Sequence, residues 1–372
     1  MKKSNLRIGK SIITTLVLST SMMSMTGVTF ADQVTNDAPP SVTIQGETWY
    51  QVSTAAQLEY IDQNQGNYFY ANIELMNDID LTGLAWTPFG TVDSPFLGTF
   101  NGQGFGVSGI TVNEPSSDYV GFFGSSSGTI ENLHVNDTVT GSQNVGGLVG
   151  YLSGGTITDS YATGSVSGSD YVGGLVGTTY DSNLTDSYAT GSVQGDENIG
   201  GLVGYEILGS NTDCYSTGSV QGSSIIGSLV GFETLGTITD SYATGLVNGS
   251  SSPTGGLVGS QQYTNPITDS YFDTTSTGQS QGIGSGSLPG VFGEVDTAMK
   301  TEATFSSWDF SKTWGISSAI NQGYPYLRNT ISSGNSGGLV GQMPEVPLAG
   351  VLPLLGLAGV GAFWLRRRQS VK

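Results

Sequence analysis

Cysteine and histidine are nearly missing from this chain, and lysine and arginine are missing from most of its length; each absence closes a class of chemistry. Cys214 is the only cysteine, so no internal disulfide can form. It occupies the slot held by Ser160, Ser187, Ser241 and Ser270 in the surrounding repeats, which reads as a small buried filler, since a reactive thiol needs a base beside it. His134 is the only histidine. A His-Glu-x-x-His zinc site is therefore impossible, and Ser-His-Asp chemistry would have to be built around one residue far from most serines. Lys and Arg are absent from residue 11 to residue 299. All 30 acidic residues fall between Asp32 and Glu345, against Lys300, Lys312 and Arg328. Such a surface repels nucleic acid and attracts divalent cations or basic partners.

What is abundant is glycine, 57 residues of 372, and it is periodic. Gly-Gly-Leu-Val-Gly occurs at Gly146–Gly150, Gly173–Gly177 and Gly200–Gly204, returns with one Ser at Gly227–Gly231, and closes at Gly255–Gly259. Between the copies runs Asp159-Ser160-Tyr161-Ala162-Thr163-Gly164-Ser165-Val166, repeated at Asp186–Val193, Asp213–Val220 and Asp240–Val247 and fading at Asp269-Ser270-Tyr271. A period of 27 residues, lengthening to 28 at the last copy, means a solenoid, in which stacking makes the core that no single repeat can make. The units are rich in Gly, Ser, Thr, Tyr and Val and poor in helix formers. The expected fold is all-β, a right-handed parallel β-helix with about 27 residues and three short strands per coil.

The phase of each coil follows from charge. A straight strand through Ile157-Thr158-Asp159-Ser160-Tyr161 would bury a carboxylate in every repeat with no cation to pair it, at a cost of several kcal/mol. The chain must bend at Asp159, as Asp and Asn allow. Leu148, Ile157, Ser160, Ala162 and Val166 then point inward. Tyr161, Tyr188, Tyr215, Tyr242 and Tyr271 form an outward column beginning at His134, beside a row of Asp159, Asp186, Asp213, Asp240 and Asp269. Rings next to carboxylates suit a glycan-stacking face; plain lateral stacking is the simpler role. Neighbouring carboxylates about 4.8 Å apart repel, so the Asp row is also a candidate calcium site.

Along the chain, residues 1–31 have the basic start, apolar run and small exit residue of a secretory signal, with cleavage expected after Ala31. A leader covers 32–46. Residues 47–120 hold irregular coils and a short capping helix, signalled by the capping-box spacing of Thr54 and Gln57 with Leu58 and Ile61 behind it. Regular repeats fill 121–274, an aromatic-rich cap 275–328 and a Ser/Gly linker 329–345. Residues 346–372 form an apolar run ending in Arg366-Arg367-Arg368, long enough to span a bilayer.

Ser53-Thr54-Ala55-Ala56-Gln57-Leu58, Asp78-Ile79-Asp80-Leu81, Trp86-Thr87-Pro88-Phe89-Gly90, Gly98-Thr99-Phe100-Asn101-Gly102 and the Gly-Leu-Val-Gly repeats together resemble the GLUG-motif family of bacterial surface and secreted proteins, which includes filamentous-haemagglutinin-like adhesins and some IgA-cleaving metalloproteases. Phe105 departs from the His common there. The tail, with Met343-Pro344-Glu345-Val346-Pro347, resembles PEP-CTERM-type sorting signals. The resemblance implies a β-solenoid displayed on the cell envelope, anchored or sorted through its tail by the membrane or a sorting enzyme, or released.

The expected function is a non-catalytic adhesin or matrix scaffold whose partners are surface glycans or matrix proteins and not nucleic acid, with no required cofactor beyond the candidate calcium. The alternative is a polysaccharide-binding or polysaccharide-degrading β-helix using Asp78 with Asp80 or neighbours in the Asp row as paired carboxylates. An ice-binding solenoid is a weaker match, because Asn183 and Ser210 interrupt the Thr-x-Thr pattern begun by Thr156 and Thr158.

Overall fold

The computed structural model describes residues 37–330 except 252, 264, 287 and 288. The expected signal segment and the apolar tail lie outside these residues. Among the described residues no helix is long and apolar enough to cross a membrane.

Within that span the chain winds into a parallel β-solenoid. A regular coil, such as residues 143–169, carries strands Gln143–Gly146, Val149–Ser153, Thr156–Thr158, Tyr161–Ala162 and Ser165–Ser167. Each pairs in parallel with its counterpart one coil on: Val145 with Val172, Val149 with Val176, Ile157 with Leu184, Tyr161 with Tyr188 and Val166 with Val193. Stacked strands make four long sheets of 5, 7, 10 and 13 strands. The 10-stranded sheet runs through nine parallel strands, from Glu47–Val52 to Ile267–Thr268, with Ser41–Ile44 antiparallel on its edge.

The strands are shorter and more numerous than the three per coil read from the repeats, because the backbone enters the left-handed region three times per turn. Asp159, Asp186, Asp213, Asp240 and Asp269 all have φ between 44° and 53°, and Asn132 has 50°. Each therefore makes the bend that burial of charge demanded. Gly154, Asp181, Leu208 and Leu235 make a second corner, and Asn144, Tyr171, Asn198 and Ile225 a third. The glycines of Gly-Gly-Leu-Val-Gly serve a different purpose. Gly146 and Gly147 have no positive φ, but a Cβ on Gly147 would stand 2.6 Å from the Gly174 carbonyl oxygen. They let successive coils approach at a tight corner while Leu148 and Val149 fill the interior.

Inside, Leu148, Ile157, Ala162 and Val166 are all buried, as are Ile130, Leu133 and Val135 of the first regular coil. A serine ladder runs beside them. Ser160 and Ser187 donate through Oγ to the carbonyls of Thr158 and Thr185 at 2.8 Å and accept from the backbone N–H groups of Leu133 and Ser160 one coil back. Cys214 fits this ladder as a buried filler, its Sγ 3.3 Å from the Thr212 carbonyl. At the N-terminal end the helix Ala55–Gln63 is capped by Thr54 Oγ1, which accepts from Gln57 N, while Gln57 Oε1 accepts from Ser53 N. That pair is the expected capping box with its return arm displaced by one residue, since Gln57 takes the N–H before the cap and not that of Thr54. Leu58 and Ile61 seal the first coil.

At the other end, Ile283–Ser285 and Val291–Glu294 add strands to the last coil. The aromatic residues that follow lie elsewhere, along the flank.

Candidate functional site

The tyrosine column forms, and its register is exact from His134 through Tyr161, Tyr188, Tyr215 and Tyr242 to Tyr271. Ring centroids are 4.9 Å apart for His134 and Tyr161, then 4.5, 4.4 and 5.0 Å down to Tyr242, with interplanar angles of 10° or less. Rings stacked in this way spend their flat faces on one another and turn their edges outward. A sugar needs a free face. Tyr271 leaves the stack and turns to Phe292, Phe305 and Trp308.

The column is also covered over three of its five tyrosines. Residues 296–330 fold back as a strap, and Phe305, Trp308, Trp314, Tyr324 and Leu327 make a second core with Tyr215, Tyr242 and Tyr271. Trp314 is wholly buried, its ring 6.1 Å from Tyr215 and 5.9 Å from Tyr242. Tyr242 Oη donates to the Pro325 carbonyl at 2.6 Å and accepts from Asn321. Tyr215, Tyr242 and Tyr271 thus are not the open glycan-stacking surface that the sequence suggested; Tyr188, half-buried, also packs against the strap's cluster, and Tyr161 is half-buried beyond it. Two of the three basic residues are spent inside the strap: Lys300 pairs with Asp296 at 2.7 Å, and Arg328 donates to the carbonyls of Trp314 and Phe310.

The Asp row lies beside the column and meets the same strap. Asp213 Oδ1 accepts the Trp314 indole N–H at 2.7 Å, and Asn329 lies against Asp159. Burial and the flanking Asp159 and Asp213 push Asp186 up to about 7; burial, Asp213 and Asp269 push Asp240 up to about 6. Burial thus raises Asp159, Asp186, Asp213 and Asp240 above the ordinary carboxylate range, and the strap supplies an N–H donor to Asp213. Among the described residues no cluster of three or more His, Cys, Asp or Glu side chains is disposed to hold a metal ion.

The remaining candidates, Asp78 and Asp80, are each engaged by backbone N–H groups. Asp78 Oδ1 accepts from Gly106 N at 2.9 Å and stands 3.8 Å from His134 Nε2. Asp80 Oδ1 accepts from Thr82 N at 2.8 Å. Asp78 and Asp80 flank the buried Ile79, and both serve as backbone acceptors. Burial holds His134 below its ordinary pKa against the pull of Asp78.

Carboxylates that the sequence reading left out are inside the solenoid. Asp137, Glu206 and Glu233 are all buried. Burial raises Asp137 well above the carboxylate range; burial and then Glu233 do the same for Glu206; burial raises Glu233 to about 6. The signal was available in the repeats. Leu152, Thr179, Glu206, Glu233 and Gln261 occupy one slot, and Leu152 alone shows that it faces the core.

Two GLUG motifs lie side by side at residues 141–167 and 168–194. They coincide with the first two fully regular coils. A Gly-rich membrane protein of Evansella cellulosilytica is 31% identical over 116 residues, which is 29% of this chain and 13% of that protein. The chain thus spans only a small part of the curated relative it matches. A crystal structure described as a candidate immunoglobulin A1 protease from Bacteroides ovatus superposes with a TM-score of 0.61 at 21% identity, covering 75% of this chain and 92% of the other. At that identity the likeness establishes the β-solenoid fold.

Proposed function

We propose that this chain is a non-catalytic β-solenoid scaffold of the cell envelope, acting as an adhesive or matrix protein toward surface glycans or other extracellular proteins. The observation that carries the reading is the coil-on-coil register of the regular repeats together with the strap that locks one flank. In a repeat stack each coil contacts only its neighbours, and the lateral ladders of Tyr, Ser and Val couple those neighbours into a stiff rod. A rod with a single rigid cross-section suits display and spacing. The GLUG motifs and the Gly-rich membrane relative support an envelope location, and the apolar run 346–365 followed by three Arg supplies a means of attachment or sorting. Outside the strap, the half-buried row of Tyr171, Tyr205 and Phe232, stacked at 5.3 and 5.2 Å, offers ring edges as contact surface toward other proteins.

The test is antibody labelling and protease shaving of intact cells, paired with a deletion strain scored for attachment to glycan-coated and matrix-coated surfaces. Labelling of intact cells with loss of attachment on deletion is the expected result. A protein recovered wholly from the cytosolic fraction, or attachment unchanged by deletion on every surface, would overturn the proposal.

A further inference from the structure

Departures from the repeat converge at one point in the interior, in coils that otherwise follow the pattern closely. Glu206 and Glu233 occupy adjacent inward rungs, followed by Gln261. Glu206 is 1% exposed and Glu233 0%. Asn211 sits in the slot that is Ile157, Leu184, Ile238 and Ile267 in the other coils, and it is 1% exposed. Its Nδ2 reaches Glu206 Oε2 at 2.5 Å. Glu233 Oε1 accepts from Gly236 N at 2.5 Å, and a Cβ on Gly236 would lie 2.6 Å from Glu206 Oε1, so both carboxyls close on Gly236. Glu206 Oε1 and Glu233 Oε2 are buried without any hydrogen-bond partner. An apolar slot has been given up to Asn, and each of the two buried carboxyls keeps one oxygen without a protein donor.

We infer that Glu206 and Glu233, with the amide oxygens of Asn211 and Gln261, form an internal binding site for one calcium ion. The donors are all hard oxygens, which suits Ca²⁺ or Mg²⁺ and not a thiophilic metal. Two carboxylates and a divalent ion sum to a neutral unit, the condition under which buried charge is tolerated in a core without Lys or Arg. Ligand type selects between the ions. Adjacent rungs are about 4.8 Å apart, within reach of one ion shared by two parallel side chains, and calcium takes carboxylate and amide oxygens in flexible geometry, whereas magnesium demands a near-ideal octahedron and usually keeps several waters. A half-turn of the Asn211 amide exchanges its nitrogen for its oxygen toward the ion. The site is independent of the envelope reading and lies inside the coils, apart from the Asp row on their surface.

The experiment is a thermal melt of the full-length chain at pH 7.5, refolded in calcium chloride or in chelator, with bound calcium counted by equilibrium dialysis. Calcium should raise Tm by at least about 3 °C, with one ion per chain; magnesium chloride should shift it far less. Glu233→Gln and Glu206→Gln/Glu233→Gln should lose both the shift and the bound ion while melting in chelator at or above the parent. If the double variant does not fold, the single variant carries the comparison. Asp186→Asn/Asp213→Asn should keep the full calcium shift. Equal melting with and without calcium, a calcium shift retained in Glu233→Gln, or a shift lost in the surface Asp variant would each overturn the assignment.

Discussion

Replacing Trp314 by Ala removes the keystone of the strap, and the consequence can be sized from its surroundings. The side chain is 0% exposed, touches Tyr215, Tyr242 and Trp308, and donates its N–H to Asp213 at 2.7 Å. Truncating a buried Trp costs about 3–5 kcal/mol, and a lost bond to a carboxylate adds about 1–3 kcal/mol. Part of that is recovered if the strap lifts and lets water reach Asp213. The loss should fall on the strap because Trp314 belongs to the flank cluster and not to the solenoid's interior. Hydrogen exchange is the assay. Amides in residues 296–328 should lose protection by about 10²–10³-fold, at about 1.4 kcal/mol per tenfold, while those in residues 143–261 keep theirs. Trp314→Phe, which retains a ring but not the N–H, should fall between. Unchanged exchange in the strap, or an equal loss throughout both regions, would refute the separation of the two cores.

The carboxyls make stability depend on pH in an unusual direction. Asp186, Asp240 and Glu233 titrate higher in the folded state, at about 7, 6 and 6, than in an unfolded chain. Their contribution is complete below the unfolded values near 4 and is lost as pH rises through 6 and 7. In chelator, Tm should therefore be higher at pH 5 than at pH 8; a Tm that rises across that window would contradict the burial of these groups. Gly191→Ala should cost about 3 kcal/mol or more, read by urea unfolding, because its Cβ would overlap the Gly164 carbonyl in the coil behind. Leu208 and Leu235 hold φ of 58° and 61° while 45% and 40% exposed. Leu208→Gly should gain up to about 1 kcal/mol in the same measurement, since strain is relieved and little burial is lost.

How much of this was legible in advance depended on whether the governing force was local or summed over neighbours. The 27-residue period fixed coil length and register, since stacked parallel strands place residues one repeat apart side by side. The bend at Asp159 was equally readable. A carboxylate in every repeat with no cation left only one phase, and the left-handed φ at all five Asp positions is the backbone's answer. The helix start at Thr54, with Gln57 three residues on, was written in four residues, although Gln57 returns to Ser53 N and not to Thr54 N. The same charge argument failed for Glu206 and Glu233 because it was applied to the repeating phrase and not to the positions that depart from it. The strap was beyond reach for another reason. Its aromatic residues are apolar enough to seek cover, but sequence distance carries no information about which surface supplies it. Trp314 reaches Asp213 across 101 positions. Only the folded stack creates a tyrosine face for the strap to find. The periodic chain thus determined the solenoid and its inward and outward residues, whereas tertiary packing alone decided that most of the tyrosine column would be closed.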